Sequence, residues 1–488
     1  MRVAESRSKL RARTAATVGR APAAIAFALI AAIFGAVFAV LTPPFWGHDE
    51  ITQFGRAYQV AHGGFLPQEI HDDRGVAYGG DIPVTVDELM GYALRDYTSN
   101  PDEPAAMVGD PLAYDRLESR PVSDAQRPMW FTNTAAYSPV PYLPAALGIR
   151  SAELLGLDVG GLQLLTRLCG LLAYLLVVGF GLFALRNTRV QWLAFTVAVL
   201  PIAVFQAGTV TADTLTNAIA LLVGMLLVKS LFVGADLTRP ERYALLGSAV
   251  VLPLCKPTYV LLAMLLVVVP PARLGLRKRW LPWVFAATGF VLFAIWTKIS
   301  SPTTEGMGFM RKQSQWYSVI PGDQLKGILG DPIDFAQTFE HSIARRDLEW
   351  FNEFFGELGF AYINVPATTI VACLLALAVS VGVAERMVAD NRRTWIVALA
   401  LAASVGMIYT TLYMSFSPVD YFIIDGVQGR YFVPLAIVFF AVLLRWMPLR
   451  LAPATGELRM RAPAITVVVA TVVALVAAVV KYQLIVFG

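Results

Sequence analysis

Runs of apolar residues as long as a bilayer is thick leave this chain few ways to fold. Ala21–Leu41 carries no charged residue and Ala464–Phe487 carries one, Lys481. Each fills the span of about 20 residues that a helix needs to cross a hydrocarbon core. In lipid, every backbone N–H and C=O must be satisfied within its own segment, so such runs become helices. At 57% hydrophobic and 15% charged residues, the 488-residue chain is too apolar for a soluble domain and reads as an all-α integral membrane protein.

Further spans are expected at Leu162–Leu185, Val190–Phe205, Asp213–Phe232, Trp283–Trp296, Val365–Val383, Trp395–Met414 and Tyr431–Leu444. Two shorter pieces lie between Tyr243 and Pro270, broken at Lys256-Pro257. Proline lacks a backbone donor and disfavours helical geometry in the residue before it, so Cys255-Lys256-Pro257 reads as a tip between short helices. Pro139–Leu155 reads as re-entrant or interfacial, the alternative being that one basic loop belongs to the opposite face. The total is a bundle of about 11–12 transmembrane helices. It forms one domain over residues 21–488, after a basic tail at 1–20.

Arg2, Arg7, Lys9, Arg11, Arg13 and Arg20 against the single acid Glu5 place the N-terminus on the cytoplasmic side of the membrane. The following run is too long for a signal-peptide core of about 7–15 residues, so it is read as retained. The basic loops at 186–189, 239–242, 273–279, 386–393 and 445–461 are then cytoplasmic. The long loops 42–137 and 300–364 are extracytoplasmic, and the first is expected to carry short interfacial helices such as Val84–Tyr92. The net charge of +4 comes from basic residues that set orientation, which removes nucleic acid as a partner. Cys169, Cys255 and Cys373 all belong to apolar segments and form neither a disulfide framework nor a zinc motif.

The outer ends of the spans gather the chemistry. Pro43-Pro44-Phe45-Trp46 pins the chain at the interface, and His48-Asp49-Glu50 follows at once. A carboxylate held against apolar surface has its pKa raised, which suits a general base. The plain alternative is a solvated acidic pair. Asp213 could cap a helix with Thr211 or Thr214, and Lys256 could snorkel to lipid headgroups or present a point charge to a phosphate. In Gly426-Val427-Gln428-Gly429-Arg430-Tyr431, two glycines permit close backbone approach. Arg430 offers a fork that suits phosphate oxygens, or serves with Tyr431 as an interfacial anchor.

Taken as a set, Pro43-Pro44-Phe45, Asp49-Glu50, Arg56-Ala57-Tyr58-Gln59, Tyr137-Ser138-Pro139, Asp213 with Thr216-Asn217-Ala218, Lys256-Pro257-Thr258-Tyr259 and Gly426–Tyr431 resemble a bacterial multipass family. Long catalogued as a domain of unknown function, it is placed near the GT-C glycosyltransferases. The resemblance implies a GT-C-like bundle with a large first external loop. It implies an inverting glycosyltransferase that takes a sugar from a polyprenyl-phosphate carrier and passes it to an envelope glycan, glycolipid or protein acceptor. Carried over by motif, Asp49 would be the catalytic base with Glu50 its neighbour. Lys256 resembles a lysine that many GT-C enzymes hold in such a stretch.

Chemistry then assigns Arg430, Lys256 and Arg56 to the donor phosphate, and His48, Asp213, Gln428, Tyr431 and Tyr259 to the substrate. No cofactor motif and no Gly-rich nucleotide loop is present, and the question of a divalent metal stays open. Two rival classes make different demands. A transporter or lipid flippase predicts inverted repeats and mid-membrane charges. A non-catalytic envelope assembly protein predicts that Asp49→Asn is silent.

Overall fold

A computed structural model describes residues 21–72, 75–99, 108–302, 319–360, 362–447, 449 and 460–488. The basic tail, 1–20, lies outside them, as does 303–318 of the second long loop. The described chain is a mostly helical membrane protein.

It opens with α1 (Pro22–Leu41) and α2 (Glu50–Ala61), followed by β1 (Gln68–Asp72), β2 (Gly75–Pro83), α3 (Val84–Ser99), α4 (Pro111–Glu118) and β3 (Gln126–Trp130). Next come α5 (Leu143–Leu154), α6 (Val159–Ala184), α7 (Gln191–Ala198), α8 (Pro201–Ala207) and α9 (Ala212–Leu227), the last running on as a π-helical turn, Val228–Val233. Then follow α10 (Arg239–Cys255), the short helical stretch α11 (Pro257–Val268), α12 (Leu281–Ser300), α13 (Pro321–Gly330) and α14 (Pro332–Gly356). The chain ends with β4 (Glu357–Leu358), β5 (Ile363–Asn364), α15 (Ala367–Val383), α16 (Asn391–Phe416), α17 (Val433–Trp446) and α18 (Arg461–Val486).

Seven of these, α1, α6, α9 with its π-helical turn, α12, α16, α17 with the turn that leads into it, and α18, are long and apolar enough to cross a membrane. Helices α11 and α15 are apolar but shorter. The span expected at Val190–Phe205 is broken in two at Leu200-Pro201, because Pro201 opens α8 in place of continuing α7. The short pieces lie inside the bundle: α7 and α8 are buried at every residue, and α9 at every residue except Leu215. Neighbouring helices take the place of lipid around them. Helix α5 has 12 residues and is about 18 Å long, short of a hydrocarbon core of about 30 Å. It packs on α2 and α6 as a surface element.

The turns divide between two ends. At one, Val388 N–H donates to Phe232 O (2.7 Å), Arg273 to Ser230 O (2.6 Å), Arg445 to Ala389 O (2.6 Å), and the carboxylate of Glu385 accepts the backbone N–H groups of Arg189 and Val190. The basic connections meet here. At the other end lie the loop after α1, the tip at Lys256, and the segments before α9, after α14 and before α17. Lys256 is extended (φ −152°, ψ 120°) between the end of α10 and the 3-10 turn at Pro257–Tyr259, the tip that the proline requires.

The first long loop departs from the expectation of interfacial helices alone. Helix α3 is present, but β1, β2 and β3 form a three-stranded antiparallel sheet, with Gln68 opposite Gly79 and Gly79 opposite Trp130. The sheet rests on α2 and α3. Gly79 permits the pairing, because a Cβ there would stand 1.9 Å from Met129 O.

Candidate functional site

The site starts from a strained turn. Phe45 (φ 65°) and Asp49 (φ 52°) both adopt left-handed backbone, unusual for an aspartate and a real outlier for a phenylalanine. The turn is held from several sides: Trp46 Nε1 donates to Tyr114 Oη (3.0 Å) and Trp46 O accepts from Phe360 N–H (2.7 Å). Gly47 is hemmed in by Thr209, whose Cβ would lie 2.8 Å from an added Cβ.

Glu50 fastens the turn to the bundle. Fully buried, its carboxylate takes both Arg167 Nε and Nη2 (2.8 and 2.6 Å) and the N–H groups of Gly47 and Val210 (both 2.8 Å). Arg167 in turn donates to the carbonyls of Ala39, Thr42 and Pro43. The expectation of Glu50 as a catalytic partner is corrected here. With its oxygens taken up by four hydrogen bonds and no surface open to a substrate, it holds Asp49 in place. Arg56 is corrected likewise. Also fully buried, it donates to Gln59, to the carbonyls of Gly64 and Phe65, and to Tyr137 O, which commits it to tying α2 to the loop rather than to a phosphate.

The other expected residues converge. Asp213 sits in the first turn of α9, where Thr211 accepts its N–H (3.2 Å), so the helix cap and the site share this segment. Its Oδ1 takes Lys256 Nζ (2.9 Å), and its Oδ2 takes Gln206 Nε2 (3.0 Å), which is itself positioned by Asn217 (2.9 Å). Lys256 Nζ lies 4.1 Å from the centre of the Tyr431 ring, and Tyr259 Oη donates to Tyr431 O (2.9 Å). Arg430 closes the set: Nη2 is 3.6 Å from Asp49 Oδ2, and Nε is 3.7 Å from Asp213 Oδ2.

Accessibility ranks these groups. Arg430, Asp213 and Lys256 keep 7–11% of their side-chain surface, whereas Asp49 keeps 39%, so the network opens outward at Asp49. Burial raises the Asp49 carboxyl above its ordinary range, with Arg430 pulling the other way. His48, packed edge-on against Phe205 at 5.6 Å, is pushed well below its ordinary value by burial and then by Arg430. It is therefore neutral at neutral pH.

Several buried polar atoms here make no hydrogen bond: Nε and Nη1 of Arg430, Nδ1 of His48 and Oε1 of Gln428. Buried donors and acceptors are ordinarily paired, so these atoms leave hydrogen-bonding capacity unused beside Asp49 and Asp213. Among the described residues no group of three or more His, Cys, Asp or Glu side chains is placed to hold a metal ion.

A family model described as a predicted membrane protein, DUF2142, matches residues 32–439, a stretch that contains every residue of this network. The chain belongs to the DUF2142 family. No curated protein and no solved structure matches it. In this DUF2142 protein, three contributors escaped sequence reasoning. Arg167 carried a signal, being a charge inside an apolar span and therefore in need of a partner. Glu353 and Glu357, which stand near Arg430, carried none, because they lie within the long loop 300–364 and there resemble any solvated acid.

Proposed function

We propose that this protein is a membrane glycosyltransferase that moves a sugar from a polyprenyl-phosphate carrier to an envelope acceptor on the extracytoplasmic face, with inversion. The observation that carries the reading is the contact between Asp49 and Arg430. The most open carboxylate of the network and the cation with unpaired N–H donors stand side by side.

The chemistry balances on these groups. The acceptor hydroxyl gives its proton to Asp49, its oxygen attacks the anomeric carbon, and the bond from that carbon to the phosphate oxygen breaks. The departing polyprenyl phosphate needs a cation rather than a proton, and Arg430, whose Nη1 has no hydrogen-bond partner, would supply it. Lys256 acts indirectly: paired with Asp213 and seated on Tyr431, it keeps Asp213 from drawing Arg430 fully to itself. One uncommitted guanidinium edge matches a donor that carries a single phosphate. The charges cluster at one end of the bundle, which speaks against a transport route with its charges at mid-membrane.

The test is transfer from defined polyprenyl-phosphate sugars by the purified protein in lipid nanodiscs, wild type against Asp49→Asn. Turnover that depends on Asp49 supports the reading. Absence of turnover and of lipid-phosphate binding with every donor removes it.

A further inference from the structure

Helix α14 lies along the segment that delivers Arg430, and the two meet in register. Arg346 Nη2 donates to Asp425 Oδ1 (2.6 Å), Trp350 Nε1 donates to Val427 O (3.0 Å), and Glu353 Oε2 accepts the Gly429 N–H (2.5 Å). On the helix these are positions i, i+4 and i+7, one face of two turns. On the loop they are alternate residues. Seven helical residues rise about 10 Å, less than the roughly 13 Å that four fully extended residues would reach, and the loop is shortened to match by its left-handed bend at Gly426 (φ 80°). Val427 and Ile424 seal the contact in an apolar cluster with Trp350, Tyr409 and Tyr413.

The approach is as close as backbones allow. A Cβ at Gly429 would stand 2.1 Å from Trp350 O and 2.5 Å from Phe354 N, so this glycine is what lets the loop lie on the helix. Arg430 is the next residue. Holding the Gly429 N–H fixes the Gln428–Gly429 peptide, one residue before the Cα from which the Arg430 side chain runs toward Asp49 and Asp213.

We infer that Glu353 is a positioning residue: by holding the Gly429 N–H it sets Arg430 in the charge network, and α14 is thereby a working part of the site. This rests on the glycosyltransferase reading for its kinetic consequence, though not for its structural one. Its charged surroundings are Glu349 on the same helix, Glu357 on β4, and Arg430. Of the other elements packed on α14, helices α8 and α15 bring no acid or base except Cys373, and α13 brings Asp323 and Lys326, paired with each other at the surface. Burial pushes the Glu353 carboxyl up to about 7. Its charge beside Arg430 therefore changes near neutral pH, and substitution must alter the pH profile as well as the affinity.

Two readouts separate the claims. Amide hydrogen exchange over Val427–Tyr431 in the ligand-free protein reads the clamp, and KM for a polyprenyl-phosphate sugar against kcat, between pH 6 and 8, reads its effect on the site. Glu353→Ala is expected to speed exchange and raise KM by about tenfold or more, the weight of a buried charge-assisted hydrogen bond. Glu353→Gln keeps an acceptor for Gly429 and is expected to restore KM while flattening the pH profile. Trp350→Phe keeps an aromatic ring in the cluster but loses the indole donor to Val427 and part of the ring volume, and gives a milder loosening of the same loop should the alanine variant not fold. Unchanged exchange and unchanged KM in Glu353→Ala, or in Trp350→Phe as its substitute, overturn the inference. A wild type that binds no lipid-linked sugar overturns the glycosyltransferase reading instead, and the exchange result still judges the clamp.

Discussion

Arg430 Nη2 and Asp49 Oδ2 stand 3.6 Å apart, the first delivered by the turn before α17 and the second by the left-handed residue that precedes α2. At this separation they attract without a hydrogen bond, so neither is used up by the other. On the glycosyltransferase reading, a hydroxyl can therefore engage Asp49 and a phosphate Arg430 without first breaking a hydrogen bond between the two.

Asp49→Asn keeps the size of the side chain and removes the base. Transfer is expected to fall by about 10²–10⁴, the range for one positioned general base, with thermal stability unchanged. Burial raises the Asp49 pKa, and the base works only when deprotonated. The wild-type rate must therefore rise with pH through an inflection above the ordinary value of 3.8 for an aspartate. Rates measured across pH for both proteins test this, since the inflection must vanish in the variant if Asp49 carries it.

Arg430→Lys retains the charge but not the fork. An ammonium at that position cannot keep both 3.6 Å to Asp49 and 3.7 Å to Asp213 while presenting a further N–H edge to a ligand. Transfer is expected to drop by about a hundredfold, comparable to losing one donor to a developing oxyanion. A lysine variant with wild-type kinetics would mean that charge alone suffices and that the unpaired guanidinium atoms are incidental.

The Glu50–Arg167 pair belongs to stability. Both side chains are almost fully buried, and removing one partner leaves an uncompensated charge, at a cost of about 3–5 kcal/mol. Arg167→Ala should accordingly lose much of its folded yield or melt far below wild type in detergent. Glu50→Gln, wherever it folds, should show the same acid inflection as wild type. A shifted inflection in Glu50→Gln would return Glu50 to the chemistry.

How far the sequence spoke depended on distance along the chain. The spans were visible because apolar length is a local property, and the Lys256 tip because proline acts on its immediate neighbour. The meeting of Asp213, Lys256 and Arg430 could be expected because all three stand at the same ends of spans, which leaves them one depth to share. The β-sheet was hidden because β3 pairs with β2 across α3 and α4, and nothing in Gln126–Trp130 alternates strongly enough to announce a strand. Glu50 was misread for a similar reason. Beside Asp49 it looks like half of an acidic pair, and only Arg167, far along the chain in α6, turns it into a fastening. Helix α14 was out of reach altogether, because its i, i+4, i+7 face has meaning only once Gly426–Arg430 lies on it.

Glu357 gives a prediction that needs no substrate. On β4 it is buried, and burial pushes its carboxyl from an ordinary 4.5 up to about 7, against the pull of Arg430 and with help from Glu349. Between these two values the folded protein holds a proton that the unfolded chain has released, so stability falls as pH rises across the window. Glu357→Gln removes the titrating group. Its melting temperature is expected to match wild type near pH 4.5, to exceed it increasingly up to about pH 7, and to keep a constant lead above that. Glu353 carries a similar shift, so the wild-type decline should be reduced in the variant rather than abolished. Melting curves of both proteins in one detergent across this range decide the matter, and a difference that does not change with pH would show that Glu357 titrates as an ordinary surface acid.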